Sequence, residues 1–187
     1  MKLSKVSKFD RFNEYETLTL AQELLGKVLV TVQAGSITSG IIIETEAYLH
    51  NDPACHAYMN KKTKRNLAMF MPAGVSYVYL IYGMHYCFNV VSGQEGVGEA
   101  VLIRALKPLE GIEIMQERRN LTDISQLCNG PGKLCQAMGI DISCNMRSLL
   151  SDNLYILDRV VKKKDIVCTP RIGISKGMDL LYRFLLR

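Results

Sequence analysis

At 187 residues the chain has the length of one domain, long enough to bury a core without a disulfide, metal or partner subunit. Its 48% hydrophobic and 22% charged content excludes the disordered and collagen-like classes. Twenty-three basic against 18 acidic residues leave +5, a mild excess that admits a polyanionic partner without requiring one. The stretch from Met1 to Glu14 is charged throughout and lacks the apolar segment of a secretory signal. No apolar run approaches the ~20 residues that cross a bilayer, so a soluble, cytoplasmic protein without membrane contact is expected.

Thr19 and Gln22 have the spacing of a capping box, and Leu20, Leu24 and Leu25 form one helical face stopped at Gly26. Lys27 to Gln33 alternates apolar and polar residues as a half-buried strand does, and after a turn at Gly35 a second strand runs from Thr38 to Tyr48. A polar loop holding His50, Asp52, Pro53 and His56 leads to the basic segment Lys61–Arg65. Val75 to Ile81 and His85 to Val91, separated by Tyr82-Gly83-Met84, read as a hairpin. Glu99 to Leu106 is a further strand ended by Pro108, and Leu109, Ile112 and Met115 predict a short amphipathic helix with Arg118 and Arg119 at its basic end. Gly130-Pro131-Gly132 opens a helix over Lys133 to Met138, closed by Gly139; Asn153 to Val160 and Ile166 to Ile174 are late strands. Strands joined by short turns outnumber the helices. The pattern predicts α+β: a single domain with a largely antiparallel, curved β-sheet and short flanking helices.

Ile41-Ile42-Ile43-Glu44-Thr45-Glu46-Ala47-Tyr48 is the most informative stretch. Strand alternation puts Glu44, Glu46 and Tyr48 on one face with Ile42. Two carboxylates continuing a core row either run out into solvent or line a cleft. Arg104 stands in an otherwise apolar strand and needs an anion; it is either a structural partner of a glutamate or the group that orients a catalytic carboxylate and its water. Tyr77 and Tyr79 share a strand face and suit packing, whereas Tyr82 falls on the turn itself, where an exposed ring can wedge between base pairs. The basic groups at 61–65, 118–119 and 162–164 are solvated faces or, together, a phosphate-tracking surface. Six cysteines without a Cys-x-x-Cys pair read as buried hydrophobes or loop thiols, and no zinc is expected. The three histidines, His50, His56 and His85, with Cys55 and Asp52 form a conceivable metal set, though His50 and His56 share one loop. There is no Walker A loop, nucleophile elbow or His-Glu-x-x-His helix.

Several motifs coincide in order: Glu44-Thr45-Glu46-Ala47-Tyr48, His56, Arg65-Asn66, Met69-Phe70-Met71, Tyr77 to Met84, Asn89, Leu102 to Leu106, Gly130 to Cys135 and Pro170 to Ile174. Together they closely resemble the alkyladenine (3-methyladenine) DNA glycosylase family, over roughly Leu20 to Phe184. The resemblance implies one domain over 1–187 that flips alkylated or deaminated purines out of double-stranded DNA. It further implies hydrolysis of the N-glycosidic bond by a monomer with no cofactor, no metal and no strand cleavage. It assigns Glu46 as the base that activates water and Arg104 as its companion. The base pocket would be Tyr48, His56, Tyr77, Tyr79, Asn89 and Ile174. Tyr82 would intercalate, and Met84 and Lys133 would touch phosphates. Ser175 departs from the glycine often found there. A binding module for distorted nucleic acid and a hydrolase of small nucleosides are the competing readings.

Overall fold

The computed structural model describes residues 6–159 and 166–187. Val160, where one strand was expected to end, and the basic group 162–164 lie outside the described residues. Val28–Gln33 (β1) and Ser36–Tyr48 (β2) form a hairpin, followed by Ser76–Ile81 (β3), His85–Val91 (β4) and Ala100–Glu110 (β5). Leu154–Leu157 (β6), Ile166–Thr169 (β7) and Arg183–Leu186 (β8) complete one sheet among the described residues. Its main order is β3-β4-β5-β2-β1-β6, every pairing is antiparallel, and β8 joins β7 to β2. Three α-helices flank it among the described residues: Thr17–Glu23 (α1), Ile112–Arg119 (α2) and Pro131–Met138 (α3). The α+β architecture is as the pattern indicates. No helix among the described residues is long and apolar enough to cross a membrane.

The core lies between the sheet and its helices. Leu20 of α1, Leu24 at its C-cap, Met115 of α2 and Leu134 and Met138 of α3 pack on Ile42, Phe88, Val101 and Ile103. Each such fully buried side chain contributes about 1.5–3 kcal/mol of burial free energy. A satellite cluster of Cys55, Ala57, Ala68, Met69, Phe70, Tyr77, Val91 and Ala100 supports the loop that carries His56.

Several local expectations are corrected. The Thr19–Gln22 capping box does not form; α1 starts at Thr17, whose hydroxyl instead bonds Ser92 Oγ at 2.9 Å and donates to Glu99. A box of that type occurs at Thr63, whose N–H donates to Asn66 Oδ1 at 2.7 Å. β5 runs through Pro108 to Glu110, so Leu109 belongs to the strand and not to the helix. Proline is tolerated there because β4 has left that edge of β5 by Leu102, and only β2 pairs with it. The strand expected over 166–174 (β7) stops at Thr169: Pro170 offers no N–H, Arg171 turns inward, and Gly173 adopts φ 76°.

The most consequential correction concerns which face the glutamates occupy. Pairing between β2 and β5 passes from Ile42↔Leu106 to Glu44↔Ala105 and then to Thr45↔Ile103. Ile43 is therefore an extra residue on β2 and Arg104 an extra residue on β5. Each bulge breaks the alternation of its strand. Ile42 and Ala47 both enter the main core, as do Ile103 and Leu106, while Glu46, Tyr48, Leu102 and Arg104 line a cavity on the other side. Ile42 thus does not share a face with Glu46.

Close packing also fixes the His56 loop. A Cβ at Gly98 would lie 2.3 Å from the Ala57 Cβ and 2.9 Å from Phe70 Cζ. Gly98→Ala is expected to destabilise the fold by about 1–3 kcal/mol. Urea denaturation measures the loss, and a shifted His56 imidazole resonance would show that the loop, not the sheet, absorbs it.

Candidate active site

The cavity measures about 610 Å³ and opens at the tip of the β3–β4 hairpin. Its size suits a small organic ring system. Glu46, with no exposed surface, lies on its wall. Three donors surround the carboxylate. Tyr48 Oη donates to Oε2 at 2.8 Å, the Ile172 N–H to Oε1 at 2.9 Å, and Arg104 Nη1 lies 3.3 Å from Oε1. Burial, reinforced by the Glu46 charge, holds the Tyr48 phenol well above its ordinary pKa, so it donates rather than ionises. Arg104 also donates from Nε to Glu44 Oε1 at 2.9 Å, and Arg183 Nε meets the same oxygen at 2.5 Å. Glu44 is therefore neither hydrated nor free: it is the counter-ion that fixes Arg104 in place.

The opposite wall is aromatic. His56 and Tyr79 meet edge-on with ring centres 4.6 Å apart, and Tyr77 tilts against Tyr79 at 5.2 Å. Tyr77 Oη bonds His56 Nδ1 at 2.9 Å. Burial, with Arg65 nearby, lowers the His56 pKa, so the ring is neutral at pH 7. Arg65 stacks 5.2 Å over Tyr79 and donates to Leu80 O at 3.0 Å. Asn66 Nδ2 holds the His56 carbonyl at 2.9 Å, and Asn89 Nδ2 holds the Tyr77 carbonyl at 3.0 Å. Asn89, Leu102 and half-buried Ile174 complete the lining. Tyr77 and Tyr79 thus serve packing and cavity at once.

Tyr82 stands at the lip. It is 79% exposed, with φ 54°, and Gly83 follows at φ 71°. A left-handed conformation is costly for an aromatic residue and marks a constrained turn, closed here by Met84 N–H to Ile81 O at 3.2 Å. Met84 is 70% exposed beside it, and exposed Lys133 sits in the first turn of α3, whose Pro131 and Gly132 line the cavity mouth. The structure therefore brings Glu46, Arg104, Tyr48, His56, Tyr77, Tyr79, Asn89, Ile174 and Tyr82 around one space, with Met84 and Lys133 outside it.

The sequence model of the family described as Methylpurine-DNA glycosylase matches residues 11–187. The chain belongs to the methylpurine-DNA glycosylase family. A Francisella tularensis protein named "Putative 3-methyladenine DNA glycosylase" is 52% identical over 176 residues, covering 92% of this chain and 91% of its own. Proteins of the same name from Carboxydothermus hydrogenoformans and Clostridium acetobutylicum are 48% and 46% identical, over 95% and 94% of this chain and 93% and 92% of theirs.

Within this member of the methylpurine-DNA glycosylase family, two expected features are placed elsewhere. Arg118 donates to Ala137 O at 3.0 Å and Gln33 Oε1 at 2.9 Å, and Arg119 to Gln136 Oε1 at 2.5 Å. These arginines tie α2 to α3 and β1. His50 and His56 diverge: His50 Nδ1 lies 2.6 Å from Glu99 Oε1. No three His, Cys, Asp or Glu side chains converge as a metal site among the described residues. Cys55, Cys87, Cys128 and Cys135 are buried and all six cysteines are free. Two residues at the site were not singled out from sequence for this role: Arg171 and Asp52, whose ion pair lies directly behind Tyr48.

The lowered His56 pKa has a measurable consequence. Between the ordinary imidazole value and the folded value, the unfolded chain binds the proton that the folded chain refuses. Stability is therefore expected to fall as pH drops through that window and to be unaffected by His56 above it. Denaturation curves across the window, with an imidazole titration by NMR, check this; Arg65→Gln should bring the His56 midpoint closer to its ordinary value.

Proposed function

We propose that this protein recognises a damaged purine, alkylated or deaminated, rotated out of double-stranded DNA, and hydrolyses its N-glycosidic bond with water activated by Glu46. The observation that carries this reading is that one cavity has the buried Glu46 carboxylate on its wall and the exposed Tyr82 ring at its lip. Extruding a base costs a few kcal/mol of unstacking, least for damaged or mispaired bases, and a ring inserted into the gap offsets part of it. Tyr82 is held at the end of the hairpin for that role. The rotated base then lies against Tyr48, His56 and Tyr79, whose π-faces favour electron-poor, alkylated rings. Asn89 and Ile174 shape the edge it meets, and Tyr77 steadies the imidazole through the Tyr77–His56 hydrogen bond.

Both Glu46 oxygens are engaged, so water must enter beside one of the donors. The Arg104 contact, at 3.3 Å, is the longest of the three and is the natural place for it. There the water meets the carboxylate that takes its proton and the guanidinium that holds it, facing the sugar carbon as the base departs. The developing oxocarbenium charge forms beside an anion. No lysine nucleophile enters this scheme, which yields an abasic site and an intact strand. Met84 and Lys133, outside the cavity, suit backbone contacts, and one chain contains every group the scheme uses, so a monomer suffices.

Glu46→Gln is expected to reduce base excision by about 10²–10⁴-fold while retaining affinity for lesion-bearing duplex. Single-turnover assays on duplexes carrying one alkylated, deaminated or etheno purine measure it. Undiminished excision would remove Glu46 as the base, and no excision of any lesion by the wild-type protein would favour a binding module. Lys133→Ala should lower DNA affinity uniformly across lesions and flatten the salt dependence by about one phosphate contact. Equal activity on free nucleosides and on duplex would contradict the DNA reading.

A further inference from the structure

An ion pair behind the cavity wall has no part in the chemistry proposed above. The side chains of Asp52 and Arg171 have no exposed surface, and Arg171 approaches with both terminal nitrogens, Nη2 to Oδ1 at 2.9 Å and Nη1 to Oδ2. Arg171 Nη1 also donates to Ala47 O at 2.9 Å, on the residue between Glu46 and Tyr48. Its guanidinium lies 4.6 Å over the Tyr48 ring and 5.4 Å over Tyr182. Nη2 reaches Gly177 O at 3.4 Å, and a Cβ at Gly177 would stand 3.0 Å from Asp52 Oδ1 and 3.2 Å from Nη2. The loop 171–177 therefore folds back over its own first side chain. Its second residue, Ile172, supplies the N–H on Glu46 Oε1.

A buried pair of this kind is weak grounds for added stability, because desolvation consumes most of the attraction. What it does supply is direction. A planar fork bound at two points has one orientation, and a lysine would not reproduce it. Asp52 lies 119 residues before Arg171 and belongs to the loop that carries His56, so the pair joins the two loops that face each other across the cavity.

We propose that Asp52 and Arg171 are positioning residues for the base: their pair sets the Ile172 N–H on one oxygen of Glu46 and the Tyr48 phenol on the other. This rests on Glu46 being the base, as proposed above. The groups facing Glu46 are Tyr48 from β2, Arg104 from β5 with Glu44 and Arg183 behind it, Cys87 from β4, and Arg171 with the Ile172 N–H from the loop.

The double variant Asp52→Asn, Arg171→Met removes both charges together, so no buried ion is left uncompensated. Loss of a donor to a carboxylate favours its protonated form. The single-turnover excision rate is expected to fall about 10²-fold, the size of effect that loss of alignment produces. The acid limb of the rate profile should move to higher pH, with affinity for a duplex containing a tetrahydrofuran abasic analogue unchanged. Arg171→Lys, which keeps the charge and loses the fork, should show the same two effects at smaller size and guards against misfolding of the double variant. A folded double variant, or Arg171→Lys, with the wild-type rate and pH profile would overturn the proposal. Glu46→Gln run alongside separates the two ideas: undiminished excision there defeats the base assignment whatever the pair does.

Discussion

A carboxylate taken wholly out of water is among the most expensive groups a small protein can bury, and it persists only when donors enclose it. Glu46 is in that position, and much of the architecture follows from satisfying it. Tyr48, Ile172 and Arg104 approach it from a strand, a loop and the neighbouring strand. Each of those donors is in turn fixed by something else. Glu44 holds Arg104, Arg171 covers Tyr48, and Asp52 holds Arg171. The cavity is thus organised from the acid outward.

Charge balance in this region is even. Glu44 and Glu46 pair with Arg104 and Arg183 in one linked set, and Asp52 pairs separately with Arg171. These three cations are arginines, whose planar forks can serve two partners: Arg104 donates to Glu44 and forms an ion pair with Glu46. On the far wall a phenol meets an imidazole, amides meet backbone carbonyls, and the Arg65 guanidinium lies over Tyr79. One side of the cavity therefore holds the carboxylates and the other the π-surface.

Much of this was legible in the sequence, and what was not has physical causes. β1 announced itself by alternation, and β3 and β4 as two runs around the Gly83 turn. The motif resemblance named the carboxylate, the arginine and the aromatic rings that line the cavity. The two bulges at Ile43 and Arg104 left no local trace, because an extra residue in a strand of Ile, Val and Leu reads as continued alternation. That is why Ile42 was placed with the glutamates. Arg118 and Arg119 looked like a basic helix end, yet their partners come from α3 and β1. Asp52 and Arg171 are distant in sequence, and each alone resembles an ordinary loop charge. Long-range pairing of that kind is a property of the fold, not of any window of residues.

The turn at Tyr82 carries a last implication. Asparagine or glycine would occupy its backbone conformation more comfortably, and almost nothing within the protein packs around a side chain exposed at 79%. The folded chain gains little from an aromatic ring there and gives up some stability to keep it in that pose. On the proposed function, the identity of this residue answers to the DNA duplex, a surface that is not part of the molecule, and the ring would meet it with its backbone already in the turn conformation.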